Sequence, residues 1–438
     1  MPAGSIAVVG AGLAGLRACE GLRERGYEGR ITLVGDEPHL PYDRPPLSKQ
    51  FLAGEWDLDR VVLRSSEQMA ALGLDLRIGP SQRAVELDLD ARRLRLVSGD
   101  CVEFDGLVLA TGSAARRLPG ISDLAGTYLL RTLDDAFALR TVLAVPGVRL
   151  GLAGAGFIGL EVAATARRLG AQVTVVEPLD VPLGRVLGPV SGGACELMHR
   201  EEGVRFHLRT VIESVEVGGA GGGRVAGTAD QPSEPAATGP LRCRLSSGEV
   251  LELDALLVGI GAAPSLSWLA SSGLRAGPDG IVCDASLVAA PGVVVAGDVA
   301  RWPLPPSPFS KGMTETVRVE HRTNAAEQGD YAAASLLAHL GFVAKPPQSL
   351  DEALPSYAVP YVWSDQYDVK IQVLGLPRPD DEVIVVEGDP AERRFLALHG
   401  RSGRLEAVVG FARPRHVMSL RPLLERKATL EEARAMFS

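Results

Sequence analysis

One pattern constrains this sequence more than any other, and it occurs twice. Near the start, SIAVVGAGLAGLRACEGLRERG reads as an apolar strand, a glycine turn and an amphipathic helix, and GRITLVGDE follows as a strand ending in two acids. Gly10, Gly12 and Gly15 thus form G-x-G-x-x-G in the strand–turn–helix setting that gives the motif its meaning. The three glycines allow a tight turn, close approach of the backbone to a pyrophosphate, and packing of helix on strand. The pyrophosphate would sit on the helix N-terminus, where unpaired N–H groups and the macrodipole favour an anion. Asp36, or Glu37 beside it, is placed to accept from ribose hydroxyls. Further on, GVRLGLAGAGFIGLEVAATARRLGAQVTVVEPLD repeats the unit. Gly154, Gly156 and Gly159 make its turn, Phe157 and Ile158 open its helix, and Glu177 ends its second strand. Two such units predict two dinucleotides held by two domains.

The segments FDGLVLATGS (104–113, with Thr111 and Gly112) and LDALLVGIGAAPS (253–265, with Gly261) read as equivalent strand-then-glycine exits, one from each domain. GVVVAGDVA (292–300) reads as a buried strand delivering Gly297 and Asp298 to the carboxyl end of a sheet, where open α/β sheets bind ligands. Asp298 also suits a helix N-cap, and the two roles are compatible. The Gly/Pro/Ala-rich stretch within 217–240 predicts a flexible excursion without chemistry. From about Tyr357 short alternating strands precede a last helix, the texture of a separate α+β domain. The predicted fold class is therefore α/β, with two Rossmann-like dinucleotide-binding domains and a C-terminal α+β domain. The first domain is expected over 1–113 and 250–330, the second over 114–249, and the third over 331–438.

A net charge of −9 argues against wholesale binding to nucleic acid or anionic membrane. No apolar run approaches the roughly 18–20 residues of a membrane span, and no signal peptide precedes the strand at Ile6, so a cytoplasmic location is expected. Cys19, Cys101, Cys195, Cys243 and Cys283 are too far apart for a C-x-x-C pair or a metal knuckle. Buried or idle thiols are expected, and no metal site.

The pieces PYDRPPLSK (41–49), LRTLDDA (130–136), GFIGLEVAA (156–164), AGDVA (296–300) and WSDQYDVKIQVLGL (363–376) complete the picture. Together with the glycine units they resemble the FAD-dependent pyridine nucleotide oxidoreductases, ferredoxin reductase type, which serve oxygenase and P450 systems. The resemblance runs from Ile6 to about Arg421. It implies that Ala14 and Asp36 hold the FAD pyrophosphate and ribose, with Gln82 toward the adenine, Arg131 at the pyrophosphate and Asp298 at the ribityl chain. It implies that Arg44 and Lys49 lie along FAD, Lys49 near the isoalloxazine edge, and that Trp363 stands beside the rings. Glu161 would face the nicotinamide and pair with Lys49. Independently, a carboxylate at Glu161, between Leu160 and Val162 on an apolar helix, demands a cation or ligand amide if buried.

The implied reaction is hydride transfer from NADH to FAD, then release of single electrons to an iron–sulfur ferredoxin feeding an oxygenase or P450. Hydride transfer needs proximity and a dry stacked geometry, and the cofactors carry the chemistry. The loop PYDRPPLSKQFL has no cysteine, which speaks against a thiol route. Glu177 would accept from both ribose hydroxyls and repel a 2′-phosphate, and no basic residue follows it until Arg185, so NADH is expected over NADPH. Two other readings remain open: an NADH oxidase or small-molecule or quinone reductase, and an apoptosis-inducing-factor-like redox protein.

Two places depart from the family pattern. Arg322 occupies a position expected to line the flavin by its backbone, and RWPLPPSPFSKGMTETV is long and Pro-rich. Both fall where the acceptor should approach. Arg413, Arg415, His416, Arg421, Arg426 and Lys427, with Arg318 and Arg322, are candidates for a basic docking patch.

Overall fold

The computed structural model describes residues 4–218, 239–303, 316–342 and 359–437. These divide into two compact units.

The first unit is assembled from Met1–Asp43, Leu58–Ala114 and Ala263–Val362. Its sheet runs in the order Val288–Ala290, Val293–Val295, Gly106–Leu109, Ser5–Val9, Arg30–Gly35, Asp75–Ile78. From Val293–Val295 onward all neighbours are parallel, with Ile6 opposite both Ile31 and Gly106. Parallel strands are covered on both faces, which is why they read as unbroken apolar runs: Ile6, Val8, Leu33, Leu107 and Val294 are at most 1% exposed. The glycine turn leads into a helix, Leu13–Glu24, that has no side-chain cap and no acid in its first turn. A second helix, Arg322–His339, packs against it. Gly329 permits the approach, since a Cβ there would lie 2.3 Å from the Ala14 carbonyl oxygen. The boundary expected at 331 therefore falls inside a helix of this unit. Its Ala-rich second half is buried against the first helix, a tertiary contact that composition does not announce.

The second unit comprises Arg44–Asp57, Ala115–Ala262 and Trp363–Ser438. Its parallel sheet runs Arg205–Leu208, Gln172–Glu177, Arg149–Ala153, Ala255–Val258, Thr127–Tyr128. Ala255–Val258 thus completes this sheet, and the return to the first domain expected at 250 comes after Ala262 instead. A fully buried ALLV strand suits either sheet equally, so the sequence could not assign it. The strands Ile212–Val217 and Leu241–Leu245 pair antiparallel; most of the excursion expected over 217–240 lies outside the described residues. Toward the C-terminus, Val369–Gly375, Arg404–Phe411, Arg394–Arg401 and Glu382–Asp389 form an antiparallel sheet flanked by residues 363–366. Phe395 and Phe411 stack at 4.5 Å in its core, under Val417, Leu420 and Ala433. Among the described residues, no helix is long and apolar enough to cross a membrane.

Candidate functional site

In the first unit the glycine turn is built for a ligand. Gly10 has φ +116°, and a Cβ there would meet the Ala110 carbonyl oxygen at 2.1 Å; at Gly15 it would meet the Gly10 oxygen at 1.9 Å. Gly12 is the opposite case, with nothing within 4 Å of the added carbon. At Gly10 and Gly15 the constraint is steric, while Gly12 opens onto free space at an uncapped helix N-terminus. Asp36 follows the strand and is exposed, whereas Glu37 accepts the Tyr42 hydroxyl proton. Gln82 Oε1 and Thr111 Oγ1 are buried without a hydrogen-bond partner among the described residues, and Gly112 beside Thr111 has φ +65°. Buried polar atoms are nearly always satisfied, so these two orphans, Thr111 next to the open glycine turn, mark a place for a polar ligand. Gly297, at φ +77°, donates its N–H to Gln328 Oε1 at 2.7 Å and leads into Asp298. Ala14 packs against Gly297. These residues fit a dinucleotide such as FAD.

Arg322, the departure in the pattern, is explained locally: its Nε donates to both oxygens of Asp43, at 2.7 and 2.9 Å. Asp43 belongs to the PYDRPPLSK segment, so Arg322 is tied to one of the pieces that carry the family resemblance. His321, just before it, is driven by burial to a pKa of about 4. Residues 304–315 of the long Pro-rich segment lie outside the described residues.

In the second unit the turn repeats. Gly154 has φ +98° and no room for a Cβ, Gly159 abuts Gly154, and Gly156 faces open space at another uncapped N-terminus. Ile158 and Ile260 are 45% and 37% exposed at this end of the sheet, and Phe157 is half-buried. Gly261, at φ +99°, ends the neighbouring strand, and Arg185 is exposed. Apolar side chains left in water around an open anion-binding turn fit a dinucleotide here as well. Glu177 is 8% exposed and already engaged by backbone: Oε2 accepts from Ala155 N–H at 2.6 Å and Oε1 from Leu179 N–H at 3.1 Å. It therefore fixes the glycine turn as well as ending its strand.

The same unit brings Lys49 and Glu161 together. Glu161 is 5% exposed on the helix Phe157–Arg168, and the Lys49 ammonium lies 2.8 Å from its Oε2. Two hydroxyls complete the shell: Ser48 donates to Oε2, and Ser364 donates to Oε1 at 2.7 Å. Three donors meet the demand of a buried carboxylate. The Pro-rich turn Pro45–Ser48 is pinned to the helix by the Thr165 hydroxyl, which donates to Ser48 O at 2.9 Å. Arg44 donates to the Arg131 carbonyl, and Arg131 N–H is capped by Asp135 at 2.9 Å. Trp363 is half-buried next to Ser364. The sequence reading missed Ser48 and Ser364, although each adjoins a residue it had singled out.

The cysteines offer no thiol pair. Cys19, Cys195, Cys243 and Cys283 are buried and only Cys101 is exposed. Burial pushes Cys19 and Cys283 up to about 12 and Cys243 to about 11, and raises Cys195 too. No cluster able to hold a metal occurs among the described residues.

Comparison with known proteins agrees with this geometry. Residues 4–329 match the pyridine nucleotide-disulphide oxidoreductase model, and 361–436 match the reductase C-terminal model. Rhodocoxin reductase of Rhodococcus erythropolis is 35% identical over 98% of this chain and 92% of its own length. The ferredoxin–NAD(+) reductase component of the biphenyl dioxygenase system of Paraburkholderia xenovorans (strain LB400) is 36% identical over 90% of this chain and 86% of its own. Among solved structures, the covalent putidaredoxin reductase–putidaredoxin complex superposes with a TM-score of 0.82 at 30% identity, covering 97% of this chain and 93% of that one. With two open glycine turns and a family match across three quarters of its length, the chain belongs to the pyridine nucleotide-disulphide oxidoreductases and carries their reductase C-terminal domain.

Proposed function

We propose that this chain is an NADH-dependent ferredoxin reductase, passing electrons from NADH through FAD to an iron–sulfur ferredoxin that serves an oxygenase or P450. The observation that carries the reading is two dinucleotide turns in a chain without a thiol pair. Four of the five cysteines are buried and driven up in pKa, so reducing equivalents have no internal disulfide to enter. An outside acceptor is required, and the relatives' names supply its class: one is a ferredoxin–NAD(+) reductase of a dioxygenase system, and one solved structure is a ferredoxin reductase for the CYP199A2 system.

FAD, when bound, supplies hydride acceptance and release of electrons one at a time. The protein binds and orients. Gly10, Gly12, Ala14 and Gly15 would present the turn to its pyrophosphate, Asp36 would take its ribose, and Gln82, Thr111, Gly112, Gly297 and Asp298 would hold its remaining polar edges. Arg131 would meet its pyrophosphate, and Arg44 would lie along it. Gly154, Gly156, Phe157, Ile158, Gly159, Gly261 and Arg185 would receive NADH, with Glu177 accepting from its ribose and repelling a 2′-phosphate. Lys49, held by Glu161, would place positive charge at the reacting rings, with Trp363 beside them. The reaction belongs in the cytoplasm, where the thiols stay reduced.

The test is reduction of cytochrome c by NADH, with and without added [2Fe–2S] ferredoxin, alongside oxygen consumption. Strong ferredoxin dependence and preference for NADH are expected. Rapid oxygen consumption that ignores ferredoxin would make the chain an NADH oxidase instead, and a long-lived reduced state inert to both acceptors would favour the apoptosis-inducing-factor-like reading.

A further inference from the structure

Beyond Glu161, buried polar side chains continue in one line. Gln366 Nε2 lies 3.0 Å from Ser364 Oγ, His199 Nε2 lies 2.9 Å from Gln366 Oε1, and the Tyr367 hydroxyl lies 3.0 Å from His199 Nδ1. Ser364, Gln366 and His199 are each fully buried. His199 comes from the end of the helix Gly184–Glu201, and Gln366 and Tyr367 from the strand end and turn after Ser364. All lie in the second unit.

The direction of every hydrogen bond in this line follows from its end. A carboxylate only accepts, so Ser364 gives its single proton to Glu161 and must itself accept from the Gln366 amide nitrogen. Gln366 Oε1 then faces His199 and accepts, so Nε2 of the ring carries the hydrogen. Burial holds the ring neutral, with its pKa pushed down to about 4, so Nδ1 keeps a lone pair. The Tyr367 hydroxyl donates to it, and burial raises the pKa of that hydroxyl, keeping it protonated. Tyr367 is held at φ +54°, a left-handed conformation that tyrosine rarely adopts and that is costly to keep without a compensating contact. The half-buried Tyr367 also lines, with Lys49, a recess of about 70 Å³.

We propose that His199 and Gln366 are positioning residues for hydride transfer: a one-way hydrogen-bond line from Tyr367 through His199, Gln366 and Ser364 locks the rotamer of Glu161 and, through it, the place of the Lys49 ammonium. Neither residue touches a reacting atom. Their effect is geometric, and misplacement of a catalytic group by about 1 Å can cost 10²-fold in rate. The inference rests on Glu161 and Lys49 serving the hydride step.

The experiment is stopped-flow reduction of the FAD-loaded protein by NADH in Glu161→Ala, Gln366→Leu, His199→Leu and His199→Gln, with the double variant Glu161→Ala/Gln366→Leu. Gln366→Leu and His199→Leu should lower the limiting reduction rate about 5–50-fold. The NADH dissociation constant should stay within about twofold. His199→Gln, which keeps an N–H donor at the Nε2 position, should recover most of the loss. In the Glu161→Ala background Gln366→Leu should add nothing, because the line then ends on no carboxylate. Nitrogen-15 NMR of the protein, which has seven histidines, should show His199 neutral with the hydrogen on Nε2 and lose that signature's downfield proton in Gln366→Leu. Full additivity in the double variant, or a ring protonated on Nδ1, would overturn the positioning role. If Glu161→Ala itself reduces as fast as the parent, the assignment of Glu161 to the hydride step falls instead, and if His199→Leu fails to fold, Gln366→Leu and His199→Gln still decide.

Discussion

Replacing Lys49 with methionine keeps the volume of the side chain and removes its charge. In the parent the ammonium sits 2.8 Å from Glu161 Oε2, with the two side chains 9% and 7% exposed. The variant leaves a buried carboxylate facing an apolar chain. Breaking one partner of a buried pair costs roughly 3–5 kcal/mol, and the surviving Ser48 and Ser364 donors put the expected loss near the lower end, ~3 kcal/mol. For a unit of this size that is roughly a 6–12 °C fall in melting temperature. The double variant Lys49→Met/Glu161→Gln removes the stranded charge, since a glutamine carbonyl can still accept from one hydroxyl, and should recover at least about half of the loss. Differential scanning calorimetry with FAD in fixed excess provides the reading, because ligand binding itself moves the transition. A Lys49→Met loss under about 1 kcal/mol, or a double variant no more stable than the single one, would refute the claim that this carboxylate depends on its cation.

Three further outcomes are expected. Glu177→Ala should weaken NADH binding at least tenfold and also loosen the turn, because Ala155 N–H loses its acceptor, whereas Glu177→Gln should retain the turn; coenzyme titration and thermal melts separate the two effects. His199, His321 and His399 are each pushed by burial from 6.5 to about 4, so they stay neutral in the folded chain while unfolded histidines protonate. Stability should therefore fall as pH drops from 6.5 toward 4, and a urea midpoint unchanged between pH 7 and 4.5 would contradict the burial of these rings. In the C-terminal stretch Arg413 and His416 both pair with Glu387, Arg421 with Glu425 and Arg426 with Glu432, while Arg415 is exposed. Arg415→Glu should slow ferredoxin reduction severalfold and leave ferricyanide reduction unchanged, and Arg421→Glu should do less; equal loss with both acceptors would indicate damage to the fold.

What the sequence disclosed depended on the range of the interaction. The glycine turns were legible because their spacing sits within one strand–turn–helix unit, and Gly15 admits no Cβ because the Gly10 carbonyl oxygen five residues earlier lies in its way. The assignment of Ala255–Val258 was not, since a run buried on both faces carries no mark of which sheet it joins. The helix Arg322–His339 likewise finds its partner through contacts that span most of the chain, Gly329 against Ala14 and Asp330 with Arg25. Glu161's need for a cation could be argued from its apolar neighbours, but Ser364 and Ser48 are separated from it by 203 and 113 residues. Arg322 looked like an anomaly in isolation and became ordinary once Asp43 stood beside it.

The strand order of the two parallel sheets has a consequence for how the chain is made. All five strands of the second sheet lie between Thr127 and Val258, so that core can close as soon as this stretch is synthesised. The first sheet begins at Ser5 but lacks Val293–Val295, and the helix against Leu13–Glu24 does not end until His339. Of the two parallel sheets, the one whose first strands are made earlier is therefore completed later, holding an unpaired strand edge and an uncovered helix face while roughly two hundred further residues are added, ~10–40 s at ordinary elongation rates. During that interval the exposed edge of Gly106–Leu109 is where a nascent chain is open to mispairing or chaperone capture.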